Sequence, residues 1–379
     1  MKNPFAKLLT KTLTSAAQSI VSGEIKKHAK GLIQKYTAKS PEAARAEASA
    51  KLGYETDAFT LDKKENVVFK PSPIFMHEWL TNSPLTATKM LKDEEYGQFY
   101  YDGKLMTPSM KVEILTKFSK ATGIHSPAIS GHFDRALDLL DVTDVTALRF
   151  KEEFVGSWDP SRTSIIDSWL SKCFGTALDT DAAYANMLFR KWVVGTAHRA
   201  MNPGSTLDGC LVLKGPPGVG KTQFFRKLLP EPFANRTGEI YCDVKSPQRF
   251  VEAIVGKTVA CFDELSVLDH PKSDETFKQL LSTQDIDVRL AWARKKARYA
   301  LRQGFAGTTN KDKFCDKFLS RRLWVIQLNG SQRLNFDYLN DNCKSLWTEA
   351  AYYATTTKAS YILSPSEQSE VEQNNIKYG

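Results

Sequence analysis

The sequence predicts an α/β fold: a parallel sheet with a phosphate-binding loop at one edge. Two observations lead to this prediction. First, from Gly209 onward short apolar segments alternate with helical stretches, a pattern typical of a parallel sheet with crossover helices. Second, residues 215–222 match G-x-x-x-x-G-K-[ST] and stand between an apolar strand and a helix. The predicted strands are Cys210–Leu213, Thr258–Phe262, Gly304–Gly307 and Leu323–Leu328.

The composition excludes several broad classes of protein. Of the 379 residues, 42% are hydrophobic and 25% are charged, which excludes a wholly disordered chain and a membrane-filling one. The 6 cysteines lie far apart without a C-x-x-C pair, which argues against a zinc knuckle or a secreted disulfide scaffold. No segment reaches the length of about 18 apolar residues that a membrane helix needs, and a secretory signal is missing. We therefore expect a cytoplasmic protein without a membrane partner.

The positive charge is concentrated near the N-terminus. The net charge is +9 over the whole chain, and residues 1–51 contain ten lysines and arginines against three acids. A polyanionic partner would explain this excess. A solvated helical arm whose lysines keep it soluble would explain it equally well, so the charge alone does not decide between the two.

Changes of pattern along the chain predict five segments. Ser40 and Pro41 are suited to the cap and the first turn of a helix near the end of the first segment. The last segment ends in a polar tail, Ser364–Gly379, whose composition is not expected to pack into a core. The segments are a basic, partly mobile helical arm (1–55), a small mixed and helical domain (56–145), a helical collar (146–205), the α/β domain (206–335), and a C-terminal helix with the polar tail (336–379).

Apolar residues at three- and four-residue spacing locate the helices, and the short apolar run Val67–Phe69 predicts a strand. The predicted helices are Ser109–Ala121, Ala128–Leu140, Arg162–Phe174, Ala182–Met201 and Phe336–Thr356.

The glycine-rich segment predicts an ATP and Mg²⁺ site. Its glycines allow backbone N–H groups to turn towards phosphate oxygens, and the N-terminus of the following helix favours negative charge. Lys221 is expected to reach the β- and γ-phosphates, and Thr222 to supply a hydroxyl to Mg²⁺. The predicted nucleotide-binding residues are Gly215, Pro216, Pro217, Gly218, Val219, Gly220, Lys221 and Thr222.

Polar residues at two further strand ends are candidates for the same site. Asp263 and Glu264 end the strand that starts at Thr258, where Asp263 would support the Mg²⁺ shell and Glu264 would polarise the attacking water. Asn310 follows the next buried strand, and its amide is a candidate to bind the γ-phosphate or the water. An asparagine in this position is also a common turn former, which is the structural alternative.

Arg321 and Arg322 stand between a short helix and the last predicted strand. One guanidinium of this pair is a candidate to reach a phosphate bound by a neighbouring subunit. The competing interpretation is an intramolecular salt bridge.

The segment 289–302 contains six cations, two aromatic residues and no acid. Its flanks are strand-like, so residues 294–298 are expected to form the tip of a hairpin that contacts a nucleic-acid backbone. A solvated turn is the alternative, and Trp292 is as suited to packing as to stacking on a base. The candidate nucleic-acid-binding residues are Arg289, Arg294, Lys295, Lys296 and Arg298.

Taken in order, these motifs resemble the virulence-associated protein E family. The resemblance rests on the loop at 215–222, the acids at 263–264, the basic hairpin, Gly307–Asn310, and Arg321–Trp324, with further likeness upstream. Members of that family are ATPases of phages, satellites and pathogenicity islands, related to superfamily 3 helicases within the AAA+ class. Residues 1–145 match no family, and neither their order nor their composition assigns them a role.

The resemblance implies an AAA+ P-loop NTPase with five parallel strands in the order 5-1-4-3-2, assembled as a homohexameric ring. ATP would then bind between protomers, where Lys221, Thr222, Asp263, Glu264 and Asn310 act within one chain and Arg321 or Arg322 completes the neighbour's site. Hairpins carrying Lys295 and Lys296 would line a channel for single-stranded DNA.

The implied activity is ATP-driven translocation or unwinding during replication of a phage or mobile element, in the cytoplasm of a bacterial host. Two alternatives stay open at this point. One is an initiator or loader that assembles on DNA or with replication proteins without processive unwinding. The other is an RNA helicase of viral type, which shares every motif.

Overall fold

The structure is a computed structural model that describes residues 39–379, apart from residues 88, 94–97, 103, 126, 128, 241–245, 266–272, 290–296, 315–320 and 358–360. The chain divides into two units, one ending at Thr143 and the other beginning at Asp144. Among the described helices, none combines the length and the apolar character needed to cross a membrane.

The first unit combines helices with a small four-stranded sheet, whose neighbouring strands are, in order, Lys104–Leu105, Phe99–Tyr101, Met90–Asp93 and Val142–Thr143. Its core surrounds Trp79 and Phe118, whose rings meet edge to face at 5.2 Å. The elements are α1 (Pro41–Leu52), β1 (Thr60–Leu61), β2 (Val67–Val68), α2 (Pro73–Asn82), β3 (Met90–Asp93), β4 (Phe99–Tyr101), β5 (Lys104–Leu105), α3 (Pro108–Thr122), α4 (Ile129–Asp138) and β6 (Val142–Thr143).

Helix α1 belongs to this core, although the sequence analysis placed it in the basic arm. Its cap is as expected: the Ser40 hydroxyl accepts from the Ala43 N–H, and Pro41 starts the helix. Ala44, Ala48 and Leu52 lie one turn apart and are buried. Small residues at this spacing pack closely without the large apolar side chains that the sequence analysis looked for. The remainder of the arm, residues 1–38, lies outside the described residues.

The second unit contains a helical layer and the larger sheet. Its helices and strands are α5 (Val145–Phe154), α6 (Ile166–Phe174), α7 (Ala182–Met201), β7 (Cys210–Lys214), α8 (Lys221–Arg226), β8 (Thr237–Ile240), α9 (Pro247–Ile254), β9 (Val259–Phe262), α10 (Ser273–Ser282), β10 (Asp285–Val288), β11 (Ala297–Ala300), β12 (Gly304–Thr309), β13 (Leu323–Gln327), α11 (Phe336–Thr356) and α12 (Pro365–Asn375).

All five strands of the larger sheet are parallel, in the order β13-β7-β12-β9-β8. Counted along the chain, this order is 5-1-4-3-2. Strand β12 lies in the centre, and all six of its residues are buried. The four strands expected from the sequence are present within one or two residues at each end. Strand β8 was not expected, because its Thr-Gly-Glu-Ile sequence is polar and occupies an edge.

The helical layer is fixed to the sheet and to itself by buried polar contacts. Trp192 on α7 donates its indole N–H to the Phe305 carbonyl of β12 at 2.7 Å. Helix α6 begins at Ile166 rather than at the expected Arg162, because a residue distant in sequence caps it. The buried Glu349 carboxylate on α11 accepts from the backbone N–H groups of Ile165 (2.7 Å) and Ile166 (3.0 Å).

The expectation that Ser364–Gly379 cannot pack was wrong. Ser364 and Glu367 form a capping box at the start of α12, and Val371 and Tyr378 are buried. The Asn375 amide donates to the Leu323 carbonyl of β13 at 2.7 Å. Two buried side chains and one buried hydrogen bond hold the segment here, because it packs on β13, the edge strand of the larger sheet.

Candidate functional site

The glycine-rich loop joins the end of β7 to the start of α8. Gly218 and Gly220 have φ of +85° and +106°, values that side-chain-bearing residues rarely adopt. At Gly220 a Cβ would also lie 2.8 Å from the Phe336 ring. Glycine at these positions therefore lets the backbone make its turn and pack against the start of α11.

Lys221 is buried at the start of α8, and its ammonium bonds to the loop itself. Nζ donates to the carbonyls of Gly215 (2.7 Å) and Pro216 (3.0 Å). Burial lowers the pKa of Lys221, while the nearby carboxylates of Glu264 and Asp263 oppose that shift. An ammonium has three donors, so two carbonyl bonds fix its position and leave one N–H for an anionic ligand.

Asp263 connects the loop to the central strand. Its Oδ1 accepts from the Thr222 hydroxyl and from the Thr308 hydroxyl, each at 2.9 Å. Thr308 is fully buried on β12, and its Oγ1 accepts from the backbone N–H of Glu264 at 3.1 Å. One carboxylate and one hydroxyl thereby connect the ends of β9 and β12 to the start of α8.

Thr308 is not among the site residues expected from the sequence. The sequence signal for Thr308 was its place in the Gly307–Asn310 segment. Successive side chains of a strand point to opposite faces, so Thr308 faces the other way from Gly307 and Thr309.

The backbone at Glu264 and Leu265 is left-handed, with φ of +52° and +46°. Such values cost energy in residues other than glycine and persist only where neighbours enforce them. Thr308 holds the Glu264 N–H, and Leu265 packs so close to β12 that a Cβ on Gly307 would lie 2.5 Å from its Cδ2. Gly307 thus makes room for the turn that places Glu264 at the cleft.

These residues line a cleft of about 630 Å³. Lys221, Thr222, Asp263 and Glu264 lie on its walls, as expected for a common site. Part of the lining was not expected from the sequence, because those residues follow β13 or end α8 and carry no motif. The additional lining residues include Arg226, Arg333, Leu334 and Phe336.

The donor set suits Mg²⁺ held together with phosphates. Among the described residues there is no group of three or more His, Cys, Asp or Glu side chains that could hold a metal ion. The cleft instead offers the Thr222 hydroxyl and the Asp263 carboxylate, joined at 2.9 Å, with Glu264 adjacent. Mg²⁺ characteristically binds one or two carboxylates and completes its shell with phosphate and water.

Asn310 directly follows β12, so it lies at the same edge of the sheet as the cleft. Its side chain is exposed, and it is not among the described residues that line the cleft. A contact between Asn310 and a phosphate therefore remains a prediction.

Arg321 and Arg322 lie at the opposite edge of the sheet. They precede β13, whereas the glycine-rich loop follows β7, and these two strands are paired in parallel. Five residues of strand separate the two edges by about 16 Å. Arg321 is exposed, whereas Arg322 is buried and donates Nη2 to the Ser282 hydroxyl at 2.9 Å. Burial and the adjacent Arg321 lower the pKa of Arg322.

The basic segment forms the expected hairpin, with β10 and β11 antiparallel. Arg294, Lys295 and Lys296 lie outside the described residues. Arg289 is exposed. Arg298 lies in β11 rather than at the tip, and it pairs with Asp285 of β10 at 2.6 Å. The segment itself lacks acids, but its partner strand supplies them.

Arg302, counted among the cations of the same segment, is buried. Its guanidinium binds Asp144 at 2.7 Å, so it serves the fold rather than a nucleic acid.

A parallel five-stranded sheet with a glycine-rich loop and two acids at the C-terminal ends of its strands defines the class of this chain: an α/β protein with a cleft at those strand ends. Residues 153–379 match the virulence-associated protein E-like domain. The chain belongs to this family. No curated protein matches the sequence.

Two kinds of solved structure are similar to part of the chain. An apo form of the NrS-1 C-terminal region is 12% identical, with 80% of this chain and 75% of that chain covered and a TM-score of 0.46. The JCV helicase is 13% identical, with 66% and 75% covered and a TM-score of 0.27. At these scores the likeness does not establish a shared fold.

Thr308→Val tests the link between β12 and Asp263. The change keeps the shape of the side chain but leaves the Glu264 N–H without its acceptor, so we expect a loss of about 1–3 kcal/mol of stability. The measurement is the shift of the urea unfolding curve. Thr309→Val is the matched control, because its hydroxyl is equally buried but accepts from the partly buried N–H of Lys311, which follows the strand, rather than from Glu264. Equal shifts in both variants would contradict the role given to Thr308.

Proposed function

We propose that this protein is a Mg²⁺-dependent ATPase that moves along DNA as a ring during replication of a phage or other mobile element. The observation that carries the proposal is the Asp263 carboxylate, which joins Thr222 of the loop to Thr308 of the central strand beneath Glu264. Membership of the virulence-associated protein E-like family supports it. The strand order 5-1-4-3-2 agrees with the AAA+ class that the family resemblance implies.

Within one chain, the roles follow from position. The third N–H of Lys221 would bind the β- and γ-phosphates, and Thr222 and Asp263 would hold Mg²⁺. When bound, Mg²⁺ would neutralise charge that develops on the phosphate oxygens. Glu264 would accept a proton from the attacking water, because its turn places it at the cleft next to Asp263. Arg333 is an additional cation on the cleft wall, suited to a phosphate.

The second half of the site would come from a neighbouring protomer. Arg321 and Arg322 lie across the sheet from their own loop, so they are unable to reach it. Arg321 is the better candidate for a contact in trans, because it is exposed, whereas Arg322 is bonded to Ser282. A head-to-tail interface generates a closed ring when its rotation closes, and we propose a ring of six copies.

The hairpin of β10 and β11 would provide the contact with DNA, through Lys295, Lys296 and the exposed Arg289. A DNA-binding initiator without processive unwinding is the second candidate function, and the concentration of positive charge in residues 1–51 favours it. Replication proteins are the partners that such an initiator would recruit.

Glu264→Gln tests the assignment of the base. The amide keeps the size of the side chain but is unable to accept the proton, so we expect ATP turnover to fall by about 100-fold or more. Nucleotide binding should persist, measured with a fluorescent ATP analogue. Glu152→Gln on the exposed face of α5 is the control and should leave turnover unchanged. Normal turnover by the Glu264 variant would remove it from this role.

Mixed rings test the contact in trans. We expect Lys221→Ala and Arg321→Ala to be inactive separately, since each removes one half of every site. Random mixing leaves about a quarter of the head-to-tail interfaces with both halves intact, so turnover should return to about that fraction of wild type. Mixing Lys221→Ala with a chain that carries both changes is the control and should stay inactive. An inactive first mixture contradicts the shared site.

Strand separation of a forked DNA duplex tests the function as a whole. A translocase releases the strand in an ATP-dependent reaction, whereas an initiator binds the fork and releases none. Replacing Lys295 and Lys296 with Ala should abolish release while basal ATP hydrolysis survives, because the two lysines would contact only the DNA backbone. Stimulation of turnover by RNA but not by DNA would identify the viral-type RNA helicase instead.

A further inference from the structure

The arginine pair and the base of the hairpin lie at the same edge of the sheet. Strand β12 begins directly after the hairpin, and β13 begins directly after Arg322, and the strands between them are parallel. The cleft lies at the other edge. Within one protomer, the hairpin is therefore nearer to the arginines that would contact the neighbour's nucleotide than to the cleft that would bind the protomer's own nucleotide.

Ser282 connects the two features directly. It is the last residue of α10, three residues before Asp285, where β10 begins. Its Oγ accepts from Arg322 Nε (3.2 Å) and Nη2 (2.9 Å), and its own hydrogen is directed to the Lys278 carbonyl at 3.1 Å. The hydroxyl thus uses its single donor and two acceptor positions at once.

Arg199 attaches the base of the hairpin to α7. It is fully buried and donates to the carbonyls of Thr283 (2.9 Å), just before β10, and Leu301 (3.1 Å), directly after β11. Because α7 is part of the helical layer, this contact anchors the base to the body of the unit. The contact between Ser282 and Arg322 is a second attachment, and it connects the hairpin base to the residue next to the exposed Arg321.

We propose that Ser282 is a positioning residue that couples the hairpin to the nucleotide held by the neighbouring protomer. This inference rests on the proposed function. When Arg321 engages a phosphate across the interface, the adjacent Arg322 shifts with the backbone and moves the end of α10, and the hairpin pivots about Arg199. The nucleotide of one protomer thereby controls the hairpin of the next one in the ring.

Ser282→Ala tests the coupling, with turnover measured in the presence and absence of a single-stranded oligonucleotide. We expect the basal rate to match wild type, the melting temperature to fall because the buried Arg322 loses an acceptor, and stimulation by the oligonucleotide to be lost. Ser282→Thr retains a hydroxyl and should restore stimulation. Thr283→Ala is the matched control: it removes a hydroxyl at the same helix end whose bond goes to Gln279 of the same helix. It should be stimulated like wild type.

The outcomes separate this inference from the function on which it rests. Stimulation of Ser282→Ala equal to that of wild type overturns the coupling and leaves the translocase intact. Equal losses in Ser282→Ala and Thr283→Ala also overturn it, because they reveal a general weakening of the helix end. A wild-type protein that hydrolyses ATP without any response to DNA or RNA overturns the proposed function and the coupling together.

Discussion

The constraint on which this structure depends is that the five strands of its larger sheet all run in the same direction. In a parallel sheet the C-terminal ends of all strands lie on one side and their N-terminal ends on the opposite side. Residues that follow strands are therefore gathered on the first side, and residues that precede strands on the second. The glycine-rich loop, the paired acids and Asn310 share the first side. The arginine pair and the hairpin share the second.

The central strand connects these two sides. At its end, Thr308 bonds to Asp263 and supports the left-handed turn at Glu264. At its beginning, Gly304 approaches α7 so closely that a Cβ would lie 2.0 Å from the Thr196 hydroxyl. All six residues of the strand are buried. Close-packed interiors transmit displacement rather than absorb it. The strand is therefore a rigid element between the cleft and the base of the hairpin.

The accuracy of the sequence-based expectations depended on how local each feature is. Helices α7 and α11 have the expected bounds, because the apolar spacing and the polar residues that define them lie within or next to the segments themselves. Strand β8 was missed because it is held by β9, a neighbour distant in sequence. Helix α12 was missed although its capping box is local, because the polar composition of the segment gave no indication that it packs on β13. The start of α6 was displaced by four residues for the same reason as β8 was missed: its cap is Glu349, which lies on another helix.

The sequence by itself determined the glycine-rich loop, the acids that follow β9 and the hairpin, because each depends on residues that are adjacent along the chain. Only the tertiary structure decided that Thr308 completes the Asp263 contact, that Arg333 lines the cleft, and that Arg322 turns inward while Arg321 stays exposed. These outcomes depend on which strand lies beside which. That order is set by the packing of the whole sheet and its helices, which no single segment of sequence contains.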